Sequence, residues 1–166
     1  MSENPTHQQE NDTGTAGVIA RPPLLFLGAL ALGLALDRLL PLPYPFLEAH
    51  QTRWFVAGIL IVAGVAVAAS GIRNFSSAAT PVQGYKPTRV LVTAGIHGWS
   101  RNPIYVGMLM LYLGIGMATA SPWVLILTLP LAITIRYGVV AREEAYLERR
   151  FGDTYRDYRA HVRRWL

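Results

Sequence analysis

The chain has no cysteine, which excludes disulfide staples, thiolate metal sites and a cysteine nucleophile. Histidine is thin as well: His7, His50, His97 and His161 are scattered without ligand spacing, so no zinc or iron site is expected. Charge is scarce, at 15% of the 166 residues, while 52% are hydrophobic, a share that the core of a soluble domain does not require. Residues Met1 to Ala20 lack the basic n-region and short apolar core of a secretory signal. Their polar composition predicts a disordered tail, leaving 21–166 as a single domain. Gly114-Ile115-Gly116 lies inside an apolar run and not after a strand, so it is no dinucleotide fingerprint; close helix packing accounts for it better.

Long apolar runs fill the rest. The stretch from Pro22 to Leu40 is apolar up to Asp37 and Arg38, long enough to cross roughly 30 Å of hydrocarbon as a helix. Pro41, Pro43 and Pro45 break it, and a second run from Trp54 to Ile72 comes next, with Gly58, Gly64 and Ala68 small enough for close packing. Residues 73–102 carry four basic side chains and no acidic one, with turn formers at Pro81, Gly84, Pro87, Gly95 and Gly98. They predict a loop outside the hydrocarbon, with Val90 to Val92 extended. A third run, 103–118, opens with Asn102 placed as N-cap and Pro103 at the first helical position. The uncharged segment ATASP then turns into a fourth run, 123–140. Beyond Ala141 the chain is charged and helical in pattern, and Phe151-Gly152-Asp153 reads as a helix stop followed by a new N-cap. The expected architecture is an all-α bundle of about four membrane helices with a tight third-to-fourth hairpin and a helical C-terminal tail.

Four crossings place both termini and the 73–102 loop on one side. That side holds Arg21, Arg73, Lys86, Arg89, Arg101 and the arginines beyond Ala141, against Arg38 and Arg53 opposite. The positive-inside rule then predicts cytoplasmic termini, and a bacterial inner membrane is the expected location. In the tail, Tyr155, Tyr158, Val162 and Trp165 share one face at helical spacing. Either an interfacial helix or a helix closing the site would show this pattern.

The chemistry concentrates at the basic side. Ser100-Arg101-Asn102-Pro103 opens the third helix, where free N–H groups and the helix dipole favour an anion. At the exit of the fourth run stand Arg142, Glu143 and Glu144. A basic helix entrance beside carboxylates suits a zwitterionic ligand, although charges flanking membrane helices commonly mark only the water interface. Adjacent glutamates diverge by about 100° on a helix, so one faces such a ligand and the other is free to pair with an arginine. Arg136, inside the fourth run, either binds an anionic group or snorkels to the nearby interface.

At LVTAGIHGWSRNPIYVG and REEAYLERRFGDTYRDYRAHVRRWL the sequence resembles the isoprenylcysteine carboxyl methyltransferase and phospholipid methyltransferase superfamily, over roughly residues 75–166. Nothing in the chain resembles the doubly wound fold of soluble methyltransferases. The resemblance implies methyl transfer from S-adenosylmethionine to a lipid-like or isoprenoid-bearing acceptor. Carried over residue by residue, it puts Gly95, His97, Arg101, Asn102, Pro103, Tyr105, Gly107, Glu143 and Glu144 at the cofactor. Arg136 and Arg142 become candidates for the acceptor, and Arg101 and Glu144 for catalysis, with no base assigned. His97 stands where the family often has Tyr, and Asn102 where the prenylcysteine branch usually has His, so prenylcysteine does not follow as the substrate. The expected partners are the bilayer and a lipophilic acceptor, with no nucleic acid. An NADPH-dependent membrane reductase of sterol-reductase type and a non-enzymatic lipid-binding scaffold are the alternatives.

Overall fold

Proline opens three of the apolar helices, at Pro22, Pro103 and Pro122, where a missing N–H removes no intrahelical hydrogen bond. The computed structural model describes residues 16–44, 50–80 and 88–166. The helices are α1 (Pro22–Leu39), α2 (His50–Ser77), α3 (Pro103–Ala118), α4 (Pro122–Thr134), α5 (Ala141–Phe151) and α6 (Asp153–His161). A short 3-10 turn, Gly95–Gly98, precedes α3, and a π-helical segment, Ile135–Val140, joins α4 to α5 without a break. The regular elements among the described residues are all helical, with no strand; Val90 to Val92 lie outside the helices and form no strand.

Three helices are long and apolar enough to cross a membrane: Pro22–Leu39, Gln51–Ser77 and Pro122–Phe151. In the last, the apolar part ends at Val140 and the charged remainder lies beyond the hydrocarbon. The expected third span, Pro103–Ala118, is apolar but shorter, with 16 residues reaching about 24 Å. Leu24, Leu27, Phe55, Val62 and Leu129 point outward and exposed, the arrangement of a bundle solvated by lipid. The chain is an integral membrane protein.

Packing pairs α2 with α3 and α1 with α4. Gly64 and Gly107 set the first crossing: a Cβ on Gly107 would lie 2.5 Å from the Gly64 carbonyl oxygen, and one on Gly64 2.7 Å from that of Gly107. Gly114 and Ala57 continue the same seam, whereas Gly58, expected to contribute, faces open space. At the far end Arg53 donates to the carbonyls of Met117 and Ala118, capping α3 with a cation. There Trp123 ties α4 to α1 through the Leu40 carbonyl at 2.7 Å, and Ser121 accepts from Val124 N–H to cap α4.

Several boundaries differ from expectation for tertiary reasons. Helix α2 continues through Arg73 to Ser77, held by packing against the 3-10 turn, so the loop starts later than residue 73. Gly152, with φ of 54°, is itself the N-cap of α6; Asp153 lies in the first turn and pairs with Arg156 instead. Helix α6 stops at His161, so Val162 and Trp165 leave its face and run extended across the start of α3. Residues 16–20 lie against the π segment, with Ile19 N–H on the Gly138 carbonyl. The rest of the expected disordered tail, Pro45, and Pro81, Gly84, Lys86 and Pro87 of the loop fall outside the described residues.

Candidate active site

The hairpin of α3 and α4 returns the chain to the end where α3 began, and α5 therefore carries Glu143 and Glu144 to Arg101. The Arg101 guanidinium lies 2.9 Å from Glu144 Oε1 and also donates to the carbonyls of Arg159 and Val162. Arg164 reaches the same carboxylate from the other side, at 2.7 Å from Oε2. Glu144 is thus shared between two guanidiniums, the Arg101 pair shielded from solvent and the Arg164 pair partly open to it. The extended segment after α6 is fixed by backbone pairing as well: Arg101 N–H donates to the Arg163 carbonyl, and Asn102 Nδ2 to that of Arg164. Asn102 occupies the N-cap position but makes no capping bond, because its amide holds this segment.

Glu143 has different surroundings. It is 2% exposed; Tyr105 donates to its Oε1 at 2.9 Å, while Oε2 has no partner. Burial pushes its pKa up to about 7 from 4.5, opposed by the Tyr105 hydrogen bond and assisted by Glu144. Burial also raises Tyr155, and it lifts Tyr158 to about 12, so both phenols stay neutral. His97 is buried against Phe75, shares Nδ1 with Asn74, and is shifted down by burial, which keeps it uncharged. Its carbonyl accepts from Tyr158 at 2.6 Å, fixing α6 to the turn.

Two cavities meet here. A polar one of about 10 Å³ is lined by Glu143, Glu144, Tyr155 and Tyr158, with Leu91, Val92 and Leu147 on its apolar side. An apolar one of about 290 Å³ opens between α1, α2 and α3, lined by Pro22, Ile72, Phe75, Ile104, Tyr105 and Met108 among others. His97, Arg101 and Asn102 line both, so the two cavities adjoin across these side chains. Two buried oxygens of the residues lining the polar one, Glu143 Oε2 and Tyr155 Oη, have no partner.

A model of the phospholipid methyltransferase family matches residues 52–154. The chain belongs to this family. The matched stretch holds Arg101, Asn102, Tyr105, Glu143 and Glu144, and ends before Tyr155, Tyr158 and Arg164. An uncharacterized protein of Haemophilus influenzae is 56% identical over 34 residues, 20% of this chain and 54% of that protein. The chain thus spans about half the length of the curated relative it matches. No solved structure matches the chain.

Of the family residues expected at the cofactor, His97, Arg101, Asn102, Pro103, Tyr105, Glu143 and Glu144 line one or both cavities. Gly107 does not: it faces α2 at the glycine crossing. Gly95 makes the turn over Asn74, with φ of 61°, and supports His97 from outside the cavities. The arginines expected at the acceptor are elsewhere: Arg136 is exposed with its guanidinium over the Tyr137 ring, and Arg142 holds the Gly17 carbonyl. Arg164, Tyr155 and Tyr158 were not among the expected site residues. Their periodicity was visible in the tail, but contact with Glu144 and His97 depends on where the chain leaves α6.

Proposed function

We propose that this protein transfers a methyl group from S-adenosylmethionine to an amphipathic acceptor drawn from the bilayer, at the cytoplasmic face of the membrane. The observation that carries the proposal is a charged cavity and an apolar cavity set side by side, with Arg101 and Asn102 lining both. The residues fit the cofactor chemically. Arg101 and Arg164 offer cations to a carboxylate, Glu144 an anion to an ammonium, and Tyr155 Oη an unpartnered buried acceptor to a donor. The polar cavity is nearly closed, and binding there displaces the Arg164 segment, which is held through Glu144 and a few backbone bonds.

When bound, the cofactor supplies an electrophilic methyl on a positively charged sulfur. The chain's part is to hold the acceptor in line with that methyl and to exclude water, and aromatic faces such as Tyr105 suit a nearby cation. The apolar cavity, lined by α1, α2 and α3, receives the acceptor's hydrocarbon. Four crossings bring residues 16–20, the loop before α3 and the C-terminal segment to one face; the bonds of Gly17 and Ile19 to Arg142 and Gly138, and of Arg101 to the Arg163 carbonyl, support that reading. The arginine imbalance assigns that face to the cytoplasm; in a bacterium the membrane is then the inner one. Residues 21–166 act as one domain.

The test is incubation of purified protein with methyl-labelled S-adenosylmethionine and a total lipid extract. Label should enter the lipid fraction in proportion to enzyme, and the Arg101→Ala variant should lose most of it. Label transfer no greater than with heat-denatured protein would refute methyltransferase activity.

A further inference from the structure

Arg136 takes no part in the site described above, and it stands in an unusual place for a charge. It lies in the π-helical segment, about one turn short of Val140, so its backbone is still within the apolar part of the last span. The side chain is exposed, with its guanidinium 5.3 Å from the centroid of the Tyr137 ring, and among the described residues no carboxylate pairs with it. A cation at this depth is costly unless an anion meets it. We propose that Arg136 and Tyr137 seat the headgroup of an anionic phospholipid, whose hydrocarbon lies along the outer face of α4 in the leaflet bordering α5.

The face beneath the pair fits such an occupant. Ile126, Leu129 and Ile133 follow one another at helical spacings of three and four, all exposed, and the 62% exposed Tyr137 continues their row. Val124, Leu131 and Ile135 of the same stretch are buried, so the exposed row points away from the bundle. From Ile126 to Arg136 the helix rises about 15 Å, half of the roughly 30 Å of bilayer hydrocarbon. The row is therefore one leaflet deep, with the cation at its headgroup end.

Charge decides which headgroup. The nearby Arg142 holds the Gly17 carbonyl, Glu143 is buried beside Tyr105, and Glu144 is held between Arg101 and Arg164. Farther out, Glu148 pairs with Arg159 and Asp153 with Arg156. No carboxylate is left at the seat to offset Arg136, so a headgroup that carries its own ammonium gains less there than one with a net negative charge. A guanidinium held by one face over a ring keeps its N–H edge for a phosphate, and the Tyr137 hydroxyl is a further donor. The apolar cavity opens instead between α1, α2 and α3, so a lipid on the outer face of α4 is a second lipid and not the methyl acceptor. The proposal accordingly stands whether or not methyl transfer does.

The experiment is native mass spectrometry of the full chain, delipidated in detergent and titrated with phosphatidylglycerol or with phosphatidylcholine of the same acyl chains. Wild type should bind phosphatidylglycerol about fivefold more tightly. Arg136→Gln should abolish the preference, and Arg136→Lys should keep part of it, since the charge remains while the planar fork is lost. Arg150→Gln removes the same charge from an exposed position on α5 and should leave the preference as in wild type. Equal affinity of wild type for the two lipids, a preference that survives Arg136→Gln, or an equal loss in Arg150→Gln would each overturn the seat, the last by tracing it to overall charge. A wild-type dimer that Arg136→Gln dissociates would overturn it too, by giving this face to a second copy of the chain.

Discussion

Glu143 and Glu144 are neighbours in sequence with opposite surroundings, one beside a phenol and one between two guanidiniums. The carboxyl with only a phenol pays for its burial in affinity for protons. Its pKa is higher folded than unfolded, so between 4.5 and about 7 the folded state binds the extra proton, and stability falls as pH rises through that window. Glu143→Gln removes the effect. Melting of the detergent-solubilised protein should show the variant gaining on wild type between pH 5 and pH 8, by up to roughly 3 kcal/mol. A constant difference across that range would contradict the assigned environment. The sequence showed that these glutamates diverge and left either free to pair with an arginine; it did not show which does. That choice is made by Arg164, a long-range partner delivered by chain that has already left its helix. Asn102 is similar: its position as N-cap was legible, but its side chain answers to the Arg164 carbonyl and not to its own helix.

Helices α1 and α3 begin where proline and apolar composition indicate, because those signals are local. The longer α2, the π segment before α5 and the early end of α6 were not legible, since packing decides each of them. A π segment also accommodates an additional residue, which rotates α5 by about 100° relative to an uninterrupted helix. Faces drawn across residues 123–144 from helical periodicity alone are therefore offset from those in the structure. Which glycines serve the α2–α3 seam was likewise hidden. Gly107 looked like a site residue and is a packing residue, with backbone of Gly64 and Ala68 where a side chain would stand. Gly107→Val should therefore destabilise by about 3 kcal/mol or more, since backbone cannot move aside as a flexible side chain can. Gly58→Ala, on the open face of α2, should melt within about 1 kcal/mol of wild type. Equal tolerance at the two positions, read as melting temperature and folded yield in detergent, would mean the seam is placed wrongly.

At the scale of the molecule, the all-helical membrane architecture was plain from composition and run length. The meeting of Arg101 with Glu143 and Glu144 came from a short uncharged turn, ATASP, that sends α4 back along α3. The far end is tied by Arg53 and Trp123, which leaves the opposite end to hold the charged cluster and to open toward lipid between α1 and α2. Methyl transfer depends on that cluster binding the methyl donor. The most direct measurement is therefore a calorimetric titration of purified, folded protein with S-adenosylhomocysteine, alongside Glu144→Gln and with NADPH as a comparison ligand. Saturable binding by wild type, weakened about tenfold or more when Glu144 loses its charge and absent for NADPH, is the predicted result. No binding by folded wild type, or saturable binding of NADPH in its place, would contradict it.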